Sequence, residues 1–184
     1  MINKTLKAIA ECLDNAGIPY MVMGGQAVLQ YGEARMTQDI DLTIALTPDD
    51  VDRVLPSLKA CGFSPVTNNA SQFAKETWVL PVSHDETGVR VDVVFSITPF
   101  ERQAIEGARV IGVEGAPVRF IAPEELVVQK VMSGRPKDIE DVKGIVDIQG
   151  DALDKEKIRA ALDGLGRELE KPELVKMWDE IIGG

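Results

Sequence analysis

The sequence contains one histidine, His84, and only two cysteines, Cys12 and Cys61. One histidine, placed in a predicted hairpin turn, cannot supply a catalytic triad or an imidazole zinc site, so both classes are nearly excluded. The cysteines are far apart, form no CxxC pair, and each occupies a position where an apolar helical residue is expected. We therefore expect two thiols packed in the core rather than a disulfide or a metal site.

Long apolar runs are also absent. No stretch of about 18 apolar residues occurs, which excludes a transmembrane helix and hence a membrane partner. The first 14 residues carry four charged side chains among their apolar positions, so they do not form the uninterrupted apolar stretch of a secretory signal. We expect a cytoplasmic protein.

Basic residues are in the minority, since 20 Lys and Arg stand against 30 Asp and Glu and the net charge is −10. This balance excludes nonspecific binding of nucleic acid over the whole surface, because phosphate neutralisation needs clustered cations. A local basic patch stays compatible with the composition. The acidic balance suits a protein that gathers divalent cations, although a solvated acidic surface explains it equally well.

The 184 residues are 45% hydrophobic and 27% charged, which is the balance of a globular protein. Apolar periodicity predicts, in order, a helix over 2–16, strands over 18–23 and 39–46, a helix over about 51–60, and hairpin strands over 73–83 and 89–96. From Pro123 onward the pattern is helical. This order predicts an α/β (α+β) fold with a mixed β-sheet flanked by helices over residues 1–121, followed by a small C-terminal helical lobe over 122–184.

Gly24 and Gly25 follow a short apolar strand and precede a helix. Glycines let the backbone approach a ligand closely, and the N-terminus of the next helix presents unpaired N–H groups with a positive dipole. On its own, this pair indicates no more than a tight turn, since many strand–helix turns contain Gly-Gly.

Asp39 and Asp41 lie two residues apart on a predicted strand, so both carboxylates project from the same face. Ile40 and Leu42 alternate with them and mark the opposite face as the buried one. Adjacent carboxylates repel each other unless a cation or a proton lies between them, so a divalent metal ion is the natural partner. The alternative is the solvated polar face of an edge strand, which an isolated pair would favour.

Asp92 interrupts a run of apolar, β-forming residues on a later predicted strand. An unpaired carboxylate in a buried strand is costly, so Asp92 should have a partner. Two interpretations are open: a salt bridge to Arg90 or Arg119, or a third metal ligand beside the Asp39–Asp41 pair.

Together these features resemble the nucleotidyltransferase superfamily, which has the polymerase-β-like fold. The resemblance lies in Gly24-Gly25, thirteen intervening residues, Asp39-Ile-Asp41 and then Asp92 on a later strand, and it extends over residues 20–146. That superfamily has a Gly-Gly or Gly-Ser turn, an Asp-x-Asp/Glu strand and a third carboxylate. Where many members have Ser, this chain has the second glycine, so only backbone N–H groups can contact phosphate there.

A narrower resemblance involves the helical region. Arg35-x-Thr37 before the first aspartate, and Lys130 followed by the segment Arg135-Pro-Lys-Asp138-Ile-Glu-Asp141, are similar to the bacterial AbiEii-like and minimal nucleotidyltransferase-like toxins. Asp138 and Asp141 share a helix face, and they either orient Lys130 and Arg135 or form surface ion pairs.

The resemblance implies transfer of a nucleoside monophosphate from an NTP to an acceptor hydroxyl, with Mg²⁺ or alternatively Mn²⁺ as cofactor. It implies that Asp39, Asp41 and Asp92 hold the metal and that Asp92 takes the hydroxyl proton. Lys130 would offset the charge of the leaving pyrophosphate. The residues implied to contact the NTP or to orient those that do are Gly24, Gly25, Arg35, Thr37, Arg135 and Asp138.

The acceptor stays open among tRNA or another RNA, a protein and a small molecule such as an aminoglycoside. A toxin of a type IV-like toxin–antitoxin system, with a cognate antitoxin as partner, is one expected setting. The competing hypothesis is a nucleotidyltransferase fold that has lost catalysis and serves as a binding or regulatory module. Retention of Asp at all three carboxylate positions favours the enzyme.

Overall fold

The structure is a computed structural model and describes residues 1–34 and 36–183. Its helices are α1 (Ile2–Asn15), α2 (Gly24–Tyr31), α3 (Val51–Ala60), α4 (Ala70–Thr77), α5 (Pro99–Glu106), α6 (Pro123–Ser133), α7 (Pro136–Gln149), α8 (Lys155–Glu168) and α9 (Glu173–Gly183). Its strands are β1 (Tyr20–Met23), β2 (Ile40–Ile44), β3 (Phe63–Pro65), β4 (Val79–His84), β5 (Arg90–Phe95), β6 (Arg109–Val113) and β7 (Ala116–Phe120). None of the helices in the described ranges is long and apolar enough to cross a membrane.

The strands form one sheet in the order β3-β4-β5-β2-β1-β7-β6. The pairs β2–β5 and β1–β7 are parallel, and the other neighbouring strands are antiparallel. A mixed sheet flanked by helices confirms the predicted fold class. The predicted hairpin turn after β4 is also present, since β4 pairs with β5, and a second hairpin around Glu114–Gly115 joins β6 and β7.

One face of the central strands forms the core of the sheet. On β2, Ile40, Leu42 and Ile44 are fully buried, as the apolar alternation predicts. The facing positions of β5 are also apolar and fully buried, as are those at the start of β1. Each such side chain contributes about 1.5–3 kcal/mol when it leaves water, and this burial fixes which face of β2 carries the aspartates.

The chain divides into two compact units. The first comprises Met1–Gln26 and Met36–Ile121 and contains the whole sheet. The second comprises Ala27–Arg35 and Ala122–Gly184 and contains α6 to α9.

The prediction of a strand over 73–83 is wrong in its first half. Residues Ala70–Thr77 form α4, and β4 begins only at Val79. Ala70 and Ala74 lie four residues apart and are both buried, which is helical spacing. The strand-forming residues Phe73 and Thr77 obscured this pattern in the sequence.

The prediction of two separate thiols is also wrong. Cys12 on α1 and Cys61 directly after α3 form a disulfide, with their Cα atoms 6.0 Å apart. Cys12 is buried as expected, whereas Cys61 is exposed directly after α3. Because α1 packs against α3, the two side chains meet. Sequence spacing carries no information on this packing.

Candidate active site

Three chain segments meet at one edge of the sheet in the first unit. Strand β1 runs antiparallel to β2, and β2 runs parallel to β5. The C-terminal end of β1 therefore lies beside the N-terminal ends of β2 and β5. This topology brings Gly24, Asp41 and Asp92 to the same edge.

Asp41 and Asp92 are directly in register across the parallel pair β2–β5. Neighbouring strands are about 4.8 Å apart, so two side chains in register on adjacent strands stand next to each other on one face. Asp39 comes immediately before β2 and two residues before Asp41, and the charges of both act on Arg90. The fold therefore brings Asp41 and Asp92 to one face at this edge, with Asp39 directly before the strand.

Gly24 lies directly against the Asp41 carboxylate. A Cβ atom added at Gly24 would be 2.2 Å from Asp41 Oδ2, and the φ angle of Gly24 is +60°. Only glycine combines this left-handed backbone with so close an approach. Gly24 and Gly25 also begin α2, whose first N–H groups have no intrahelical partner. The structure thus joins the glycine turn to the aspartate strand.

Asp39 is held from two sides. The Thr37 hydroxyl donates to Asp39 Oδ1 at 3.2 Å, and the Gln26 side chain donates to the Asp39 carbonyl oxygen at 3.1 Å. Gln26 is buried and was not among the predicted site residues. Its signal in the sequence is a single amide within the otherwise apolar start of α2, which indicates a specific buried partner.

Arg90 is the partner of Asp92. The Arg90 Nε donates to Asp92 Oδ1 at 2.8 Å, so the salt-bridge interpretation is confirmed for Arg90. Arg119, the other partner considered, pairs with Asp14. The hydrogen bond to Asp92 raises the pKa of the Arg90 guanidinium, and the charges of Asp39 and Asp41 raise it further. Arg90 is therefore within electrostatic reach of all three carboxylates.

The donor set suits a hard divalent cation, because Mg²⁺ prefers carboxylate oxygens. The Asp41 carboxylate already occupies the space that a side chain at Gly24 would fill, which brings it against the glycine turn. Within residues 1–34 and 36–183, however, no three His, Cys, Asp or Glu side chains are gathered closely enough to hold a metal ion. One Asp92 oxygen is instead directed to Arg90.

The remaining predicted residues lie in the second unit. Lys130 on α6 is 6% exposed and donates to Asp138 Oδ1 at 2.8 Å and to Asp141 Oδ2 at 2.7 Å, both on α7. Ser133 and Arg135 donate to the other Asp138 oxygen at 2.7 and 2.6 Å. The sequence left open that Asp138 and Asp141 form surface ion pairs. The pairs are not at the surface, because Lys130, Asp138 and Asp141 are all buried.

Opposing effects act on the Asp138 carboxyl. Burial raises its pKa, but the hydrogen bonds from Lys130, Ser133 and Arg135 outweigh burial and lower the pKa to about 2. The group is therefore ionised at neutral pH and holds α6 to α7. Catalytic roles for Lys130, Arg135 and Asp138 stay predictions. Arg35, also predicted to contact the NTP, lies outside the described residues.

The class of this protein follows from the comparisons with known proteins. Residues 2–176 match the family described as "Nucleotidyl transferase of unknown function (DUF2204)", and the chain belongs to this family. The family confirms the predicted enzyme class, a nucleotidyltransferase. No curated protein matches the chain in sequence.

Solved structures with the same fold include an antigenic nucleotidyltransferase-like protein from Paracoccidioides brasiliensis, with TM-score 0.59, 18% identity, and coverage of 96% of this chain and 91% of that one. The antibiotic-resistance factor ANT(2'')-Ia matches with TM-score 0.59, 17% identity, and coverage of 92% and 97%. The lincosamide antibiotic adenylyltransferase LnuA, bound to lincomycin, matches with TM-score 0.53, 17% identity, and coverage of 79% and 96%. At these identities the likeness concerns the fold.

Proposed function

We propose that this protein transfers a nucleoside monophosphate from an NTP to an acceptor hydroxyl with the help of Mg²⁺, which Mn²⁺ can replace. The observation that carries the proposal is the in-register pair of Asp41 and Asp92 beside Gly24. Two like charges side by side on a sheet repel each other, so a cation close to both carboxylates stabilises the arrangement.

In this proposal Asp39, Asp41 and Asp92 hold the metal, which supplies charge stabilisation at the attacking and leaving oxygens of the transfer. The first-turn N–H groups of α2, at Gly24 and Gly25, bind the triphosphate, and Thr37 keeps the Asp39 carboxylate oriented. The acceptor oxygen forms a bond to the α-phosphorus while the bond from that phosphorus to the bridging oxygen breaks. Pyrophosphate leaves, and the hydroxyl proton passes to Asp92.

A cationic small molecule is the acceptor that the charges favour. A phosphate-bearing acceptor would need unpaired cations, but Lys130 and Arg135 are paired with aspartates of the second unit. The chain as a whole carries a charge of −10. Two of the solved structures with this fold are an antibiotic-resistance factor and a lincosamide adenylyltransferase, so the fold accommodates antibiotic chemistry.

An RNA, tRNA or protein acceptor is the alternative, and it accompanies the narrower AbiEii-like resemblance. That version of the proposal makes the protein a cytoplasmic toxin with a cognate antitoxin. The order of the motifs from Gly24 to Asp141 supports it. Growth arrest on expression, relieved by Asp41→Asn, is the expected result if this version holds. Normal growth at the same expression level would contradict it.

Incubation with each labelled NTP, Mg²⁺ and separate acceptor pools tests the proposal. The pools are aminoglycosides and lincosamides, purified tRNA, and total protein. The expected result is label in the small-molecule pool with equimolar pyrophosphate, and no label with Asp39→Asn/Asp41→Asn. NTP binding without pyrophosphate release in any pool would instead indicate an inactive binding or regulatory module.

A further inference from the structure

Arg90 places a positive charge at the sheet edge where Asp41 and Asp92 lie. It lies on β5 two residues before Asp92, so both side chains project from the same face. Its side chain is 55% exposed, whereas that of Asp92 is 22% exposed. Arg90 therefore contributes little to the core and has room to move away from the sheet.

The contact with Arg90 occupies an oxygen of the third predicted metal ligand. Asp92 Oδ1 accepts the guanidinium hydrogen bond at 2.8 Å. No three acidic side chains of the described ranges are gathered closely enough for a metal ion in this arrangement. The backbone already places Asp41 beside Asp92, so rotation of these two side chains brings their carboxylates together.

Stabilisation of the fold explains the Arg90–Asp92 ion pair only weakly. The register of β5 is set by its backbone pairing with β2 and β4 over its whole length. An exposed ion pair adds about 0–1 kcal/mol to folding. The Arg90–Asp92 pair reduces the electrostatic repulsion between Asp92 and the neighbouring Asp41, as a metal ion at this position would.

We propose that Arg90 is a tethered competitor of the divalent cation: it pairs with Asp92 in the metal-free protein and must release it before the metal is held. The inference rests on the proposed function, because it assumes that Asp39, Asp41 and Asp92 form the metal site. Arg90 is thus a positioning residue that acts through Asp92, and its exchange for the metal sets the metal affinity.

Calorimetric titration of Mn²⁺ into the nucleotide-free protein tests this exchange. Arg90→Gln should bind Mn²⁺ about three- to fivefold more tightly than wild type, which is the effect of one partly exposed ion pair. Arg119→Gln is the matched control, because it removes the same charge from a pair with Asp14 in the same unit and should leave Mn²⁺ affinity unchanged. Arg90→Lys keeps the charge without the planar guanidinium and should fall between wild type and Arg90→Gln.

The possible outcomes distinguish a failure of the Arg90 proposal from a failure of the proposed function. If Asp92→Asn weakens Mn²⁺ binding but Arg90→Gln does not tighten it, the metal site stands and the role of Arg90 is overturned. Equal tightening in Arg90→Gln and Arg119→Gln would show a general charge effect and would also overturn it. If wild type, Arg90→Gln and Asp92→Asn all fail to bind Mn²⁺, the proposed function itself fails. Circular dichroism of each variant confirms that the fold is retained.

Discussion

A Cβ atom at Gly24 would lie 2.2 Å from Oδ2 of Asp41 and 3.0 Å from its Cβ and Cγ. The glycine turn after β1 and Asp41 on β2 are therefore sterically complementary. The carboxylate occupies the space that the missing side chain leaves, and the α2 N-terminus begins at the same residue. This close approach explains why the glycine turn and the aspartate strand occur together in the sequence.

Gly24→Ala should reduce nucleotidyl transfer by about 100-fold, because the Asp41 carboxylate must rotate away from the methyl group and reacting groups tolerate little displacement. Gly17→Ala is the control, since Gly17 has a similar φ of +63° but no atom within 4 Å of the added Cβ. Both variants should lose about 1–2 kcal/mol of stability from the left-handed backbone. Pyrophosphate release and urea unfolding measure the two effects. Equal activity in both variants would show that the contact with Asp41 is unimportant.

Lys130→Met should lower the free energy of unfolding by about 3 kcal/mol, because it leaves the buried carboxylates of Asp138 and Asp141 without their shared cation. Lys157→Met removes a more exposed lysine, paired with Glu125 in the same unit, and should cost less than about 1 kcal/mol. Urea denaturation of both variants makes the comparison. A stable Lys130→Met with transfer activity strongly reduced would instead support the predicted role of Lys130 on the pyrophosphate.

Asp138 makes stability depend on pH in the acid range. Its pKa is about 2 in the folded protein and about 3.9 unfolded, so the unfolded chain binds more protons between these values. Its contribution is therefore complete above about pH 5 and is lost as pH falls toward 2. The stability difference between wild type and Asp138→Asn should shrink by about 2 kcal/mol over that interval, as measured by urea unfolding at each pH. A difference that does not change with pH would contradict the lowered pKa.

The fold class and the carboxylates were predictable because each rests on a local pattern. Alternation over Ile40–Ile44 places the aspartates on one face, and an acidic residue inside the apolar strand β5 identifies Asp92 as needing a partner. These signals are contained in a few consecutive residues. The family match confirms the enzyme class that they predict.

The contacts that were not predictable join residues far apart in the chain. The Cys12–Cys61 disulfide depends on α1 packing against α3. The hydrogen bond from the Gln26 side chain to the Asp39 carbonyl oxygen joins the start of α2 to the residue before β2. For Asp92, the sequence left open whether a cation of the protein or a metal ion was its partner. The structure shows Arg90 in contact with Asp92, and which of these two partners Asp92 has when the metal is bound is the subject of the Mn²⁺ titration.

In our proposal, the aligned aspartates of β2 and β5 carry metal-dependent nucleotidyl transfer. Pyrophosphate release from Mg²⁺–NTP with the labelled acceptor, compared among wild type, Asp41→Asn, Asp92→Asn and the control Asp14→Asn, tests it most directly. We expect a loss of about a thousandfold in each of the two site variants, since several kcal/mol of transition-state stabilisation are removed. The rate of Asp14→Asn, whose partner is Arg119, should be unchanged. Release by Asp41→Asn or Asp92→Asn at the wild-type rate would show that these aspartates do not carry the transfer.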